Sequence, residues 1–247
     1  MVDTHCHLFL DDYPDIDKVL SKIGDGLVIV SGVDDESNRE VLSLVSKYPN
    51  VYGTLGIHPE DASSSYDLAF IKEHINDPKI VAVGEIGLDY YYTKENRDEQ
   101  IDLFCKQIEI ALENDKPIVV HSRDAISDTY DIIKKYNIGS KTDIHCFSSS
   151  LEMAREFIKL GCKLGIGGVL TFKNSERIKE VVSNIDLDNF LLETDSPYMS
   201  PVPFRGKRNE PYNILYVAEV ISDIKGISVD DVLKITSKNA HNLFDFE

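Results

Sequence analysis

Residues 117–136 read Pro117-Ile-Val-Val-His121-Ser-Arg123-Asp-Ala-Ile126-Ser-Asp-Thr-Tyr-Asp-Ile-Ile-Lys-Lys-Tyr136. Ile118–Val120 is a continuous apolar run of strand length, the pattern of a strand buried on both faces. Ile126–Tyr136 has its apolar residues at helical spacing. Pro117 falls just before the strand, where the preceding helix must already have ended. Between strand and helix stand His121, Ser122 and Arg123. The stretch is therefore a strand, a polar strand end and a return helix, the repeating piece of a βαβ unit.

The same piece recurs along the chain. Strand-length runs are Val2–Thr4, Leu27–Ser31, Val51–Leu55, Ile80–Gly84, Thr142–Ile144, Lys163–Ile166 and Phe190–Leu192. Helix-period segments are Glu36–Tyr48, Glu99–Glu113, Leu151–Leu160 and Glu176–Ser183. Tyr212–Leu243 reads as two helices broken at Gly226. Eight strands alternating with helices predict parallel βαβ units, closed as a (β/α)8 barrel or laid out as an open doubly wound sheet. The count of eight favours the barrel. No G-x-G-x-x-G follows a strand, so the dinucleotide-binding sheet lacks its main signal.

The length of 247 residues suits a single barrel of about 250, and one domain over residues 1–247 is expected. Hydrophobic residues make up 42% and charged residues 28%, which excludes a disordered or fibrous chain. Lys and Arg number 26 against 43 Asp and Glu, a net charge of −17. That argues against broad non-specific nucleic-acid binding, which depends on Lys and Arg releasing counterions. It is compatible with an enzyme carrying a small, locally positive site. No apolar run approaches the 18 residues of a membrane span, and Met1-Val-Asp-Thr-His5 is not a signal peptide. A cytoplasmic, monomeric protein without membrane contact is expected. Cys6, Cys105, Cys146 and Cys162 are scattered and read as reduced thiols.

The chemistry gathers at the strand ends. The first strand ends in Asp3-Thr-His5-Cys-His7, the third in Gly56-Ile-His58-Pro59 and the fourth in Gly84-Glu85. The sixth ends in His145 and the eighth in Glu193-Thr-Asp195. In barrels and open α/β sheets this is the face that holds active sites. His5-x-His7 puts two imidazoles on one side of an extended segment. With Glu85, His121, His145 and Asp195 they supply enough ligands for two divalent metals sharing a carboxylate. Two such ions with two carboxylates leave about +2 at the site, enough to attract a phosphate.

These stretches, with Val120-His-Ser-Arg-Asp-Ala125, Ile144-His-Cys-Phe-Ser148, Gly168–Asn174, Leu192–Met199, Arg205–Pro211 and Asn239-Ala240, resemble the TatD-type deoxyribonucleases of the amidohydrolase superfamily. The resemblance covers essentially the whole chain. It implies a distorted TIM barrel. It implies that His5, His7, Glu85 and Asp195 hold one metal. Glu85, His121 and His145 would hold the second, with Glu85 bridging. One departure is Ser149, where the family often has Gly.

The expected activity is metal-dependent hydrolysis of DNA, single-stranded or at 3′ ends, with Glu85 and Asp195 catalytic and Asp195 the general base. Candidate substrate contacts are His58, Arg123, Arg205 and Lys207. The metal identity stays open between Mg, Mn and Zn. Tyr90, Tyr91, Tyr92, Phe147 and Tyr198 flank the motifs, where they could stack bases or pack the mouth. Asp3 and Glu193 could orient ligands or simply tie strand ends together. Two further readings are open. One is hydrolysis of another ester or amide, such as an aminoacyl-tRNA end or a small metabolite. The other is a metal site that only supports the fold, which a ligand set without Cys disfavours.

Overall fold

The computed structural model describes residues 1–91 and 94–246. The strands are Val2–Cys6 (β1), Leu27–Ser31 (β2), Val51–Leu55 (β3), Ile80–Asp89 (β4), Ile118–Arg123 (β5), Thr142–Ile144 (β6), Lys163–Ile166 (β7) and Phe190–Leu192 (β8). They form one sheet in sequential order, β1 to β8, and each neighbouring pair is parallel. The seam between β8 and β1 is held just beyond β8. There Asp195 N–H donates to His5 O (2.9 Å), His7 N–H donates to Ser196 O, and Cys6 bridges Ser196. The sheet therefore curls into a nearly closed TIM barrel.

Between the strands run Ile16–Ser21 (α1), Asp35–Lys47 (α2), Leu68–His74 (α3), Arg97–Glu113 (α4), Ile126–Tyr136 (α5), Leu151–Lys159 (α6) and Glu176–Asn184 (α7). Ile214–Lys225 (α8) and Val229–Leu243 (α9) follow β8, with Gly226 at φ +66° ending α8 where the sequence breaks. Helices α1 and α3 carry too few turns to show a 3.6-residue period, and the sequence reading passes over them. Their starts are nonetheless set by Asp15 and Asp67, whose carboxylates accept first-turn N–H groups. Among the described residues no helix is long and apolar enough to cross a membrane.

Period-two alternation explains how one strand serves both core and site. Val28, Val30, Ile118, Val120, Ile144 and Leu192 belong to the cluster packed against the helices. Ile29, Tyr52, Val119 and Leu191 form a second buried cluster with Ala240 of α9 and Phe244 just after it. Two residues further along lie Ser31, Thr54, His121 and Glu193, on the same strand faces. The barrel interior is thus apolar low down and polar at the mouth.

Strands β1, β4 and β5 extend past the apolar runs, through His5, Glu85 and His121. His5, Glu85 and His121 thus sit within the sheet, while His7, His145 and Asp195 follow the ends of their strands. Buried amides from helices tie down neighbouring backbone. Gln100 of α4 bonds both N–H and C=O of Asp89 (2.9 Å each), and Gln107 does the same for Ile57 (2.8 and 3.0 Å). Asn38 of α2 holds Gly56 in the same way (3.0 and 2.9 Å).

Candidate metal centre

Six residues from five strands or strand ends converge at the barrel mouth. His5 Nε2 lies 3.2 Å from His7 Nε2 and 3.3 Å from Glu85 Oε2. His7 Nε2 lies 3.5 Å from both Glu85 Oε2 and Asp195 Oδ1. The other Glu85 oxygen, Oε1, faces His121 Nδ1 at 2.9 Å and His145 Nε2 at 3.7 Å. The two oxygens of one carboxylate thus look into two separate sets of imidazoles. His145 stands between the sets, stacked on His5 with centroids 3.6 Å apart and 4.0 Å from Asp195 Oδ1.

The far nitrogen of each ring decides what the near nitrogen can do. His7 Nδ1 donates to the Ser31 carbonyl (3.0 Å). His121 Nε2 donates to Asp89 Oδ2 (2.9 Å), and His145 Nδ1 donates to Glu193 Oε2 (3.2 Å). In the neutral rings the lone pairs of these three therefore point into the centre. His5 Nδ1 pairs with the Ser31 hydroxyl, which serves either tautomer (3.1 Å). Two inward nitrogens 3.2 Å apart repel unless a proton or a cation lies between them. Buried carboxylates with inward imidazole lone pairs form a donor set that fits divalent metal ions.

The electrostatics of the metal-free site point the same way. Burial works to raise Glu85, but the charges of His5 and His145 outweigh it and hold Glu85 well below the carboxylate range. Asp195 is lowered, its burial outweighed by His7 and His145. Burial opposes protonation of His121, yet Asp89 and Glu85 raise it to about 9. His145 rises through Glu193 and Glu85 against the same burial. The carboxylates at the mouth thus favour positive charge between them.

His58 behaves differently. Its Nδ1 accepts the Glu60 N–H (3.3 Å), so the neutral ring carries its proton on Nε2, 3.8 Å from Glu85 Oε1. Burial pushes it down to about 4, and the ring is neutral near pH 7. It both caps its turn and presents a donor, rather than a lone pair, to the centre.

The centre opens into a cavity of about 650 Å³ lined also by His58, Arg123, Phe9 and Tyr198. Tyr198 is 59% exposed and lies 6.0 Å from the His7 ring. Arg123 stacks on exposed Tyr91 at 3.7 Å. Other sequence candidates sit elsewhere. Arg205 lies on Phe172 and Lys207 near Phe204, and neither lines the cavity. Tyr90 is buried with its hydroxyl on Asp128 (2.7 Å), and Phe147 packs towards Phe157. Both are packing residues. Tyr92 lies outside the described residues.

Several contributors escape a reading of the sequence. Ser31 and Asp89 orient ligand rings but carry no local signal, because their roles depend on which strand lies alongside. Asp3 accepts the backbone N–H and hydroxyl of Thr194 (2.9 and 2.6 Å), so it ties β1 to the end of β8 rather than holding a ligand ring. Asp143 lies on the face of β6 below His145, with no hydrogen-bond partner for either oxygen among the described residues. Burial raises it well above the carboxylate range, which keeps it an uncharged acid.

A parallel eight-stranded barrel with His, Asp and Glu clustered at its C-terminal mouth defines a metal-dependent hydrolase of the amidohydrolase fold. The chain belongs to the TatD-related DNase family, whose profile matches residues 2–245. It is 40% identical to the uncharacterized metal-dependent hydrolase YabD of Bacillus subtilis, covering 99% of this chain and 98% of that one. It is 35% identical to the uncharacterized metal-dependent hydrolase YcfH of Escherichia coli, covering 100% and 96%. The crystal structure of the TatD homolog YjjV from Escherichia coli superposes with a TM-score of 0.91 at 29% identity, covering 100% and 98%.

Proposed function

We propose that the chain is a two-metal phosphodiesterase acting on DNA from a 3′ end. The observation that carries the reading is Glu85. Its two oxygens address different imidazole sets, as a carboxylate shared by two ions must. His5, His7 and Asp195 would complete one set, His121 and His145 the other. Bound there, two divalent ions would activate a water and neutralise charge on the transferring phosphoryl group. The DNA substrate is supported by the family to which the chain belongs.

This chain's own residues supply the rest. Asp195 stays ionised at neutral pH and takes the proton of the attacking water at its carboxylate. His58, neutral with a proton on Nε2, donates a hydrogen bond to a non-bridging phosphate oxygen. Arg123 faces the same cavity and pairs with phosphate. Phe9 and Tyr198 flank His7 at 6.1 and 6.0 Å and offer ring faces to a terminal base. The water oxygen would bond to phosphorus as the bond to the sugar oxygen breaks, and the proton held by Asp195 would pass to that leaving oxygen.

The test is hydrolysis of 3′-labelled and 5′-labelled single-stranded DNA by metal-stripped protein with Mg²⁺, Mn²⁺ or Zn²⁺ restored. Early loss of the 3′ label, dependent on metal, is expected. Stoichiometric metal binding without cleavage would leave another ester or amide as the substrate.

A further inference from the structure

A second cavity, of about 280 Å³, adjoins the metal centre and shares His145 with it. Its polar wall comes from Ser122 of β5, Ser148 and Ser149 after β6, and Arg177 of α7. We propose that this cavity is a subsite for a second phosphate of the substrate, one nucleotide away from the scissile phosphate, with Arg177 as its principal cation. The proposal rests on the phosphodiesterase reading and specifies which side of the centre the polynucleotide occupies.

Three observations support it. First, the donors are available. Among the described residues, Arg177 makes no ion pair and the Ser148 and Ser149 hydroxyls make no hydrogen bond. Asp124 also lines the cavity and offsets part of its positive charge, but it forms no ion pair with Arg177, so the guanidinium N–H donors stay open to a ligand. Second, Arg177 stands in the first turn of α7, where the helix dipole disfavours a cation. The position costs helix stability, and a bound anion would offset that cost.

Third, charge is distributed unevenly around the mouth. The β1–β3 side of the larger cavity carries Asp12, Asp34, Glu60 and Asp61. Arg123 and Arg177 are the only Lys or Arg lining either cavity among the described residues, and both lie on the β5–α7 side. Metal charge does not remove this asymmetry. The charge of two ions would act at the scissile phosphate beside Glu85 and leaves the uneven rim in place. Attraction for an extended polyanion therefore falls to the arginines. A phosphate chain fits over β5 and α7 and is repelled over β1–β3, which suits a substrate that ends at the centre instead of crossing it.

The experiment compares thymidine dinucleotides with and without one added terminal phosphate, placed at the 5′ or the 3′ end in separate substrates. For the wild-type protein, kcat/KM should rise about tenfold with a phosphate at one of the two ends, the effect of one charge-assisted contact. In Arg177→Met that preference should disappear, and Arg177→Lys should restore part of it. The double variant Ser148→Ala/Ser149→Ala should weaken it without altering metal content. A preference unchanged in Arg177→Met, or absent from wild type at both ends, overturns the subsite. If no dinucleotide is hydrolysed, the phosphodiesterase reading fails. Calorimetric titration of the metal-loaded protein with the same dinucleotides then decides the subsite: equal affinities overturn it, and a phosphate-dependent gain lost in Arg177→Met supports it.

Discussion

At the scale of single residues, the imidazoles matter less as isolated groups than as rings with a fixed direction. Asp89 and Glu193 each accept a hydrogen bond from one ring nitrogen and so aim the other inward. Asp89→Asn keeps the shape and removes the charge, and should weaken metal binding about tenfold or more. Metal titration followed by calorimetry checks it, and unchanged affinity would remove Asp89 from the centre's support. Without metal, the same rings store protons. His121 titrates at about 9 in the folded chain against 6.5 when free, and buried Asp3 at about 8 against 3.8. Between pH 6.5 and 8 the folded state binds more protons than the unfolded one at both residues, and up to 9 at His121. Stability of the chelator-treated protein should therefore fall as pH rises through this window. Thermal unfolding at pH 6.5 and pH 9 tests this, and a higher midpoint at pH 9 would contradict it. The gathering of His, Glu and Asp at the barrel mouth was legible in the sequence because these residues recur at the ends of apolar runs. Ser31 and Asp89 were not, since each acts through a neighbouring strand fixed only by the closed barrel.

At the scale of elements, helices act on the site through buried amides. Gln107 of α4 bonds both backbone groups of Ile57, next to His58. Gln107→Ala leaves a buried N–H and C=O unpaired and should cost about 1–3 kcal/mol of stability. It should also lower turnover by displacing His58, with metal content unchanged. Denaturant unfolding beside metal analysis separates the two effects; an unaltered midpoint would show that Ile57 needs no clamp. Two glycines serve the strands by the space they leave. Gly87, at φ +141°, would put a Cβ 2.0 Å from the His121 carbonyl, and Gly165 would put one 2.3 Å from Glu193 Oε2. Strand cores and most helices could be read from periodicity. Five strands end where the apolar runs end, but the ends of β1, β4 and β5 could not be read, because these strands continue through polar residues at the barrel mouth. Short helices α1 and α3 left only their capping aspartates as signals.

At the scale of the whole molecule, the centre joins β1, β4, β5 and β6 to the segment after β8, across the seam where the barrel closes. Metal binding should therefore stabilise the entire fold. At metal concentrations about 1,000 times Kd the gain is about 4 kcal/mol, or several degrees in midpoint. A chelated protein that melts at the same temperature as the loaded one would mean the site does not couple to closure. Counting eight strands favoured the barrel over an open sheet, and the sequential strand order with the β8–β1 seam decides it. The charge pattern of its mouth could not be read in this way, because the acidic β1–β3 rim and the two arginines come from segments far apart in sequence. In the proposed reaction, hydrolysis needs two ions sharing Glu85. The direct measurement is release of 3′ label from single-stranded DNA while metal-stripped protein is titrated with Mn²⁺. The rate should saturate at two equivalents per chain and be nearly abolished in Asp195→Asn. Saturation at one equivalent, or full activity in Asp195→Asn, would contradict it.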